Sequence, residues 1–326
     1  MIGSAVLTPS AVAPHPGMRW IPGGIFRMGS DAHYPEEGPS RPVTVDGFWM
    51  DATPVTNADF AAFVDATGHV TTAEVVPDPA DYPGILPEML HAGSLTFMQP
   101  ASPVDMRDIG NWWRFLKGAD WRHPLGPDSS LQGLGGHPVV HVTYADVAAY
   151  ARWAGKALPT EAEWEFAARG GIEAEFAWGP DFKPGGRFMA NTWQGAFPYE
   201  NTGEDGHGRT SPVAAFPPNP FGLFDMIGNV WEWVEDWYAA PQRHAGKPCC
   251  VPRNPRGGQE QDSHDSATPD VRTPRKVLKG GSHLCAPNHC RRYRPSAQLP
   301  QPVDTSTCHV GFRCVVRPHA TSSQHH

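Results

Sequence analysis

No cysteine occurs before residue 249, and all six (Cys249, Cys250, Cys285, Cys290, Cys308 and Cys314) fall in the last quarter of the 326 residues. A domain-wide disulfide framework spreads its cysteines through the chain, so this distribution points instead to reactive or metal-binding thiols. Also missing is any window approaching the ~18 uninterrupted apolar residues of a membrane-spanning helix. Residues 1–17 contain no Lys or Arg, and no apolar run of signal-peptide length precedes Pro9. Neither membrane insertion nor export is therefore indicated, and a cytoplasmic location is expected. Positive charge is in deficit. With 26 Lys and Arg against 34 Asp and Glu, the net charge of -8 repels phosphate backbones and offers no footprint for RNA or DNA.

What the chain does have is 34 Gly and 36 Pro beside twelve Trp and fifteen Phe. Aromatics bury large areas and are scarce in disordered chains, so this mixture predicts a packed core carrying long, ordered, turn-rich loops. Ile25 to Met28 alternates, and Val43 to Met50 is rich enough in β-branched and aromatic residues to read as strands. Three short helices are predicted next. Thr56 with Asp59, Thr143 with Asp146, and Thr160 with Glu163 form capping-box pairs, and Gly68, Gly155 and Gly170 are placed to end the helices they begin. Beyond Gly171 helical periodicity disappears, leaving islands such as Asn229 to Trp233 and Gly311 to Val316. No clean linker divides the chain. The reading is one α+β domain over 18–317, with flexible segments at 1–17 and 318–326.

His137 and His141 would share a face of a helix, as two zinc ligands do, but Pro138-Val139-Val140 between them argues for a strand. There, positions four apart are separated by about 13 Å, too far for one ion. Cys249 and Cys250 lie in the polar stretch from Pro241 to Pro274 and read as a loop feature. Cys285 and Cys290 are set in Gly280-Gly281-Ser282-His283-Leu284-Cys285-Ala286-Pro287-Asn288-His289-Cys290-Arg291-Arg292-Tyr293-Arg294. A lone C-x4-C is a weak signal. Here Arg291, Arg292 and Arg294 are expected to favour thiolate over thiol, and two soft sulfurs without a third or fourth suit Cu(I) better than structural zinc.

That block, together with Leu158 to Glu165, Ala190 to Gly195, Gly228 to Trp233 and Gly311 to Cys314, resembles the formylglycine-generating enzymes, or sulfatase-modifying factors, from about Met18 to Arg317. The resemblance implies a C-type-lectin-like domain with little regular structure. It also implies O2-dependent oxidation of a cysteine in an unfolded sulfatase segment, Cys-x-Pro-x-Arg, to formylglycine. Carried over residue by residue, Cys285 and Cys290 would hold Cu(I) and take the substrate thiolate as a third sulfur ligand. O2 would react at the copper, hydrogen would leave the substrate Cβ, and the resulting thioaldehyde would hydrolyse. Ser282, Trp231 and Arg292 match residues lining the oxygen and thiol pocket.

Two structural calcium sites carry over as well. Asn191 and Asp205 side chains with the carbonyls of Thr192 and His207 match the first; Asp225 and Glu232 with the carbonyls of Gly228 and Val230 match the second. Asp225 stands where many relatives have Asn. His289 replaces a common Tyr just before the second cysteine and, being an imidazole, titrates near neutrality. Ser296-Ala297-Gln298 departs from a common Ala-Ala-Arg. The chain is expected to work as a monomer on its sulfatase partner, with no nucleic-acid or membrane partner. Two rivals stand beside this reading. An iron-dependent sulfoxide synthase of the same fold would carry a separate metal-binding helical domain with a His-x3-His-x-Glu motif, which this chain lacks. A non-catalytic binding module would have no use for both Cys285 and Cys290.

Overall fold

Three threonines open the three α-helices of the computed structural model, which describes residues 12–82, 84–240, 250–268 and 271–318. Thr56, Thr143 and Thr160 cap α1 (Asn57–Thr67), α2 (Tyr144–Trp153) and α3 (Glu161–Arg169), each closing a capping box with the acid three residues on. Such a box satisfies two N–H groups that a helix start otherwise leaves unpaired. Gly68 and Gly170 end α1 and α3 in the left-handed conformation. Helix α2 stops at Ala154, one residue before the predicted glycine.

The first four strands, β1 (Met18–Ile21), β2 (Gly24–Met28), β3 (Arg41–Val45) and β4 (Phe48–Asp51), follow the alternation seen in the sequence, with Asp46-Gly47 breaking the longer run in two. Strands β5 (Gly93–Phe97) and β6 (Trp113–Lys117) form a separate antiparallel pair, as do β2 and β3. The largest sheet joins β7 (Trp231–Trp237), β8 (Arg275–Lys279), β9 (Gln298–Pro302) and the short β10 (Val310–Gly311) in the order β10-β7-β8-β9. β11 (Val315–Val316) completes a third sheet, β1-β4-β11.

Two apolar clusters share the centre. One gathers Phe60 and Phe63 of α1, Tyr150 of α2, Trp231 and Trp233 of β7, Phe312 and Cys285. The other packs Trp164 and Phe166 of α3 against Phe26, Val43 and Phe48. A smaller third cluster, with Phe97, Trp112, Trp193, Phe197, Leu284, Ala286 and Cys308, lies beside the thiol loop. Between 171 and 230 the described chain has no β-strand and no α-helix, only turns and one short 3-10 segment, so the fold is α+β with little regular structure.

The strand expected through His137 to His141 is not formed. Only an isolated bridge joins Pro138 to Thr56, and His141 adopts a positive φ of 61°, which breaks an extended run. His141 is instead a buried core residue, its ring bonded to Ser94 Oγ and the Pro124 carbonyl, while His137 meets Thr210.

Candidate active site

The glycine pair ahead of the thiols sets their geometry. Gly280 and Gly281 both take positive φ, and a Cβ on Gly281 would lie 2.9 Å from the Arg292 carbonyl oxygen. Only glycine lets the two ends of the block come this close. The chain then turns tightly: Cys285 N–H donates to the Ser282 carbonyl, and Cys290 N–H donates to the Ala286 carbonyl at 3.0 Å. Two residues five apart in sequence are thereby brought to an Sγ–Sγ separation of 3.5 Å as free thiols.

The pair is electrostatically unequal. Cys285 is buried, and burial raises its thiol pKa well above the usual range, reinforced by its neighbour. Cys290 is shifted down, first by the hydrogen bond from the Cys285 thiol and then by the Arg292 guanidinium, whose Nη1 lies 3.8 Å from its sulfur. Thiolate at Cys290 with thiol at Cys285 is therefore the favoured ionisation. Ser282 contributes from below, its backbone N–H directed at Cys285 Sγ at 3.4 Å. Trp231 is buried in the same apolar cluster as Cys285.

Of the three arginines expected to act on the thiols, one does. Arg291 reaches outward to Glu175 at 2.7 Å, and Arg294 is buried against Glu37. Ser296 completes that pair by donating to Glu37 Oε2 at 2.7 Å, and the Gln298 amide bonds the Glu36 carbonyl, so the unusual Ser296-Ala297-Gln298 run ties this block to the N-terminal loop. Arg292 is held in turn by Glu36 at 2.5 Å and by the face of Tyr34, 3.9 Å from its guanidinium carbon. Glu36 and Tyr34 escaped the sequence reading because they lie about 256 residues away, with no local signal linking them to the thiols. His289 stacks on Phe197 with ring centroids 4.3 Å apart and meets Trp112 edge-on. Its pKa is lowered by burial and by Arg292, so at neutral pH the imidazole is uncharged.

Among the oxygen clusters, the first fits a hard cation. Asn191 Oδ1 is buried without a hydrogen-bond partner, and the Gln194 side-chain amide nitrogen sits on both the Thr192 carbonyl and Asp205 Oδ2. The Thr192 carbonyl and Asp205 Oδ2 thus meet at one point, the orphaned Asn191 oxygen belongs to the residue next to Thr192, and His207 N–H fixes the other Asp205 oxygen at 2.9 Å. The second set is different. Both oxygens of Glu232 accept hydrogen bonds, from the Arg313 guanidinium at 2.8–3.0 Å and from the Trp164 indole at 2.8 Å. Asp225 Oδ2 accepts from Ala214 N–H, and burial raises its pKa to about 6. Gly228 is required where it is, since a Cβ would lie 2.3 Å from the Asn191 carbonyl oxygen, and Val230 is buried. Cys308 and Cys314 are buried core thiols, whereas Cys249 lies outside the described residues.

A hollow of about 540 Å³ opens at the start of β5, lined by Val75, Val76, Tyr82 and Leu95 with the acids Asp78, Asp81 and Asp304 at its edge. Strand β5 connects it to the thiol side: Gly93 and Leu95 face the hollow, and Phe97 packs beside Leu284 and Ala286, which flank Cys285.

Residues 3–318 match the Sulfatase-modifying factor enzyme 1-like domain. The formylglycine-generating enzyme of Mycobacterium tuberculosis is 54% identical over 301 residues, aligning 91% of this chain with 97% of that protein. The mouse formylglycine-generating enzyme is 44% identical over 90% of this chain and 73% of its own length. A bovine relative named as an inactive C-alpha-formylglycine-generating enzyme 2 is 37% identical over 90% of this chain and 86% of its own length. Among solved structures, PvdO from Pseudomonas aeruginosa superposes with a TM-score of 0.60 at 26% identity, over 92% of this chain and 94% of that one. On profile, identity and fold together, the chain belongs to the sulfatase-modifying factor, or formylglycine-generating enzyme, family.

Proposed function

We propose that this protein oxidises the cysteine of an unfolded sulfatase Cys-x-Pro-x-Arg segment to Cα-formylglycine, using O2 and a Cu(I) ion held by Cys285 and Cys290. One observation carries the reading: two reduced sulfurs 3.5 Å apart, one poised as thiolate by its partner and by Arg292. Paired soft thiolates fit Cu(I), which when bound supplies the activation of O2 that no side chain provides. The protein's own part is placement. Arg292, braced by Glu36 and Tyr34, holds charge at Cys290; Ser282 orients Cys285, which lies in the buried cluster that also holds Trp231.

The substrate thiol loses two electrons and a Cβ hydrogen, its sulfur leaves as sulfide, and water supplies the aldehyde oxygen. O2 takes up four electrons on the way to water, so an added thiol reductant provides the other two. The acid-edged hollow at β5 suits the arginine end of the segment: about 13 Å separates Cys from Arg when extended, comparable to the length of β5 itself. Asn191, Asp205, Thr192 and His207 would hold a calcium ion that orders the loop from 191 to 207, a structural role.

Mass spectrometry of a Cys-x-Pro-x-Arg peptide incubated with the protein, Cu(I), O2 and a thiol reductant should find the aldehyde. Folded, copper-loaded protein that leaves the cysteine untouched would sink the proposal in favour of a non-catalytic member of the family.

A further inference from the structure

A chain of three buried side chains leads from the hollow at β5 into the core. Ser306, which lines the hollow, lies 2.7 Å from Ser94 through its hydroxyl, and Ser94 lies 2.7 Å from His141 Nδ1. His141 Nε2 is 3.0 Å from the Pro124 carbonyl oxygen. Ser94 and His141 are fully buried and Ser306 nearly so.

Hydrogen-bond inventory fixes every proton in this chain. The Pro124 carbonyl can only accept, so Nε2 carries the ring proton. Nδ1 of the neutral imidazole is then an acceptor and takes the Ser94 hydroxyl proton. Ser94, having spent its proton, accepts the one on Ser306. Ser306 Oγ is left with lone pairs alone to offer the hollow. The same arrangement could activate a serine nucleophile, but two features oppose it: the imidazole is oriented by a carbonyl rather than a carboxylate, and burial lowers its pKa to about 4, too weak a base.

We infer that Ser306 is a specificity-determining residue: with its proton committed inward, it meets the substrate as a hydrogen-bond acceptor and takes an N–H of the arginine guanidinium. This rests on the functional reading above, and it agrees with the rest of the hollow's polar edge, where Asp78, Asp81 and Asp304 are acceptors too. Ser94 and His141 act through Ser306 as positioning residues. A ligand end rich in donors is favoured, because the Tyr82 and Thr305 hydroxyls that also line the hollow donate to Asp304.

The test measures binding to copper-free protein by fluorescence anisotropy, with a labelled peptide in which Ser replaces the reactive cysteine, Ser-x-Pro-x-Arg, and a second with norleucine in place of Arg. Ser306→Ala should weaken the arginine peptide about tenfold, as expected for losing a hydrogen bond to a charged group, and the norleucine peptide by less than about twofold. Ser94→Ala, which frees the Ser306 proton to turn outward, should act in the same sense but less, and Ser306→Thr should restore binding. Circular dichroism checks that each variant is folded. Equal loss for both peptides, or none for either, overturns the inference. If wild-type protein oxidises the cysteine peptide while Ser306→Ala binds like wild type, the acceptor role alone fails. If arginine selectivity depends on Ser306 but wild-type protein yields no aldehyde, the acceptor role stands and the catalytic reading fails.

Discussion

The thiol of Cys285 donates a hydrogen bond to the sulfur of Cys290 across 3.5 Å, and this one contact moves the two pKa values in opposite directions. The Arg292 guanidinium acts on the same side of the balance, 3.8 Å from Cys290.

In copper-free protein, alkylation by iodoacetamide should therefore modify Cys290 before Cys285, with a pH midpoint below the usual thiol value of about 8.5. Removing the guanidinium in Arg292→Ala should move that midpoint upward, because an opposite charge no longer favours the thiolate. Peptide mapping after timed alkylation reads both. Cys285 reacting first would contradict the assignment.

Anaerobic titration of the wild type should take up about one Cu(I) per chain, as one two-sulfur site requires. Cys285→Ser and Cys290→Ser exchange a soft ligand for a hard one and should lose most of that affinity while keeping their circular dichroism spectra. Cys308→Ser should keep it, since Cys308 is buried in the adjoining cluster with its sulfur turned to the Phe97 N–H at 3.2 Å. Undiminished uptake in both active-pair variants would rule out the site.

Chelation of calcium with EGTA should lower the melting temperature, because an ion bound only by the native state adds RT ln(1 + [L]/Kd), about 2.7 kcal/mol at a hundredfold excess over Kd. Asp205→Ala removes one converging oxygen and should abolish the EGTA response. An EGTA effect that persists in this variant would place the ion elsewhere.

Asp225 is buried with its pKa raised to about 6 from 3.8, chiefly by desolvation. A carboxyl whose pKa rises on folding favours the folded state when protonated, and that contribution fades as pH climbs through the folded value. In calcium-free protein, Asp225→Asn should accordingly stabilise the fold by up to about 3 kcal/mol at pH 8 and have no such effect near pH 3. Urea denaturation at the two pH values measures this; equal effects at both would show that charge is not the cause.

Features that rest on near neighbours in the chain were legible in the sequence. A capping box needs only four consecutive residues, and all three threonine-acid pairs start helices where they were read. The C-x4-C within Gly280 to Arg294 is also local, and a single turn suffices to bring its sulfurs together. The His137 to His141 segment marks the limit, because Pro138-Val139-Val140 describes a strand while the bonds of the His141 ring to Ser94 and Pro124 belong to the packed core.

Everything else that defines the site joins distant parts of the chain, and no periodicity records such a pairing. Arg291, Arg292 and Arg294 look alike in sequence, but only tertiary packing sends one to solvent and Glu175, one to Cys290 and Glu36, and one to a buried Glu37. Glu232 has the chemistry of a calcium ligand, and Arg313, 81 residues away, donates to both its oxygens. The protein's residue types and short motifs thus determined which groups were available for chemistry. Which of them face the thiols, which are neutralised in the core and which way the Ser306 proton points were decided by burial, since a polar group taken out of water must bond whatever donor or acceptor the fold sets beside it.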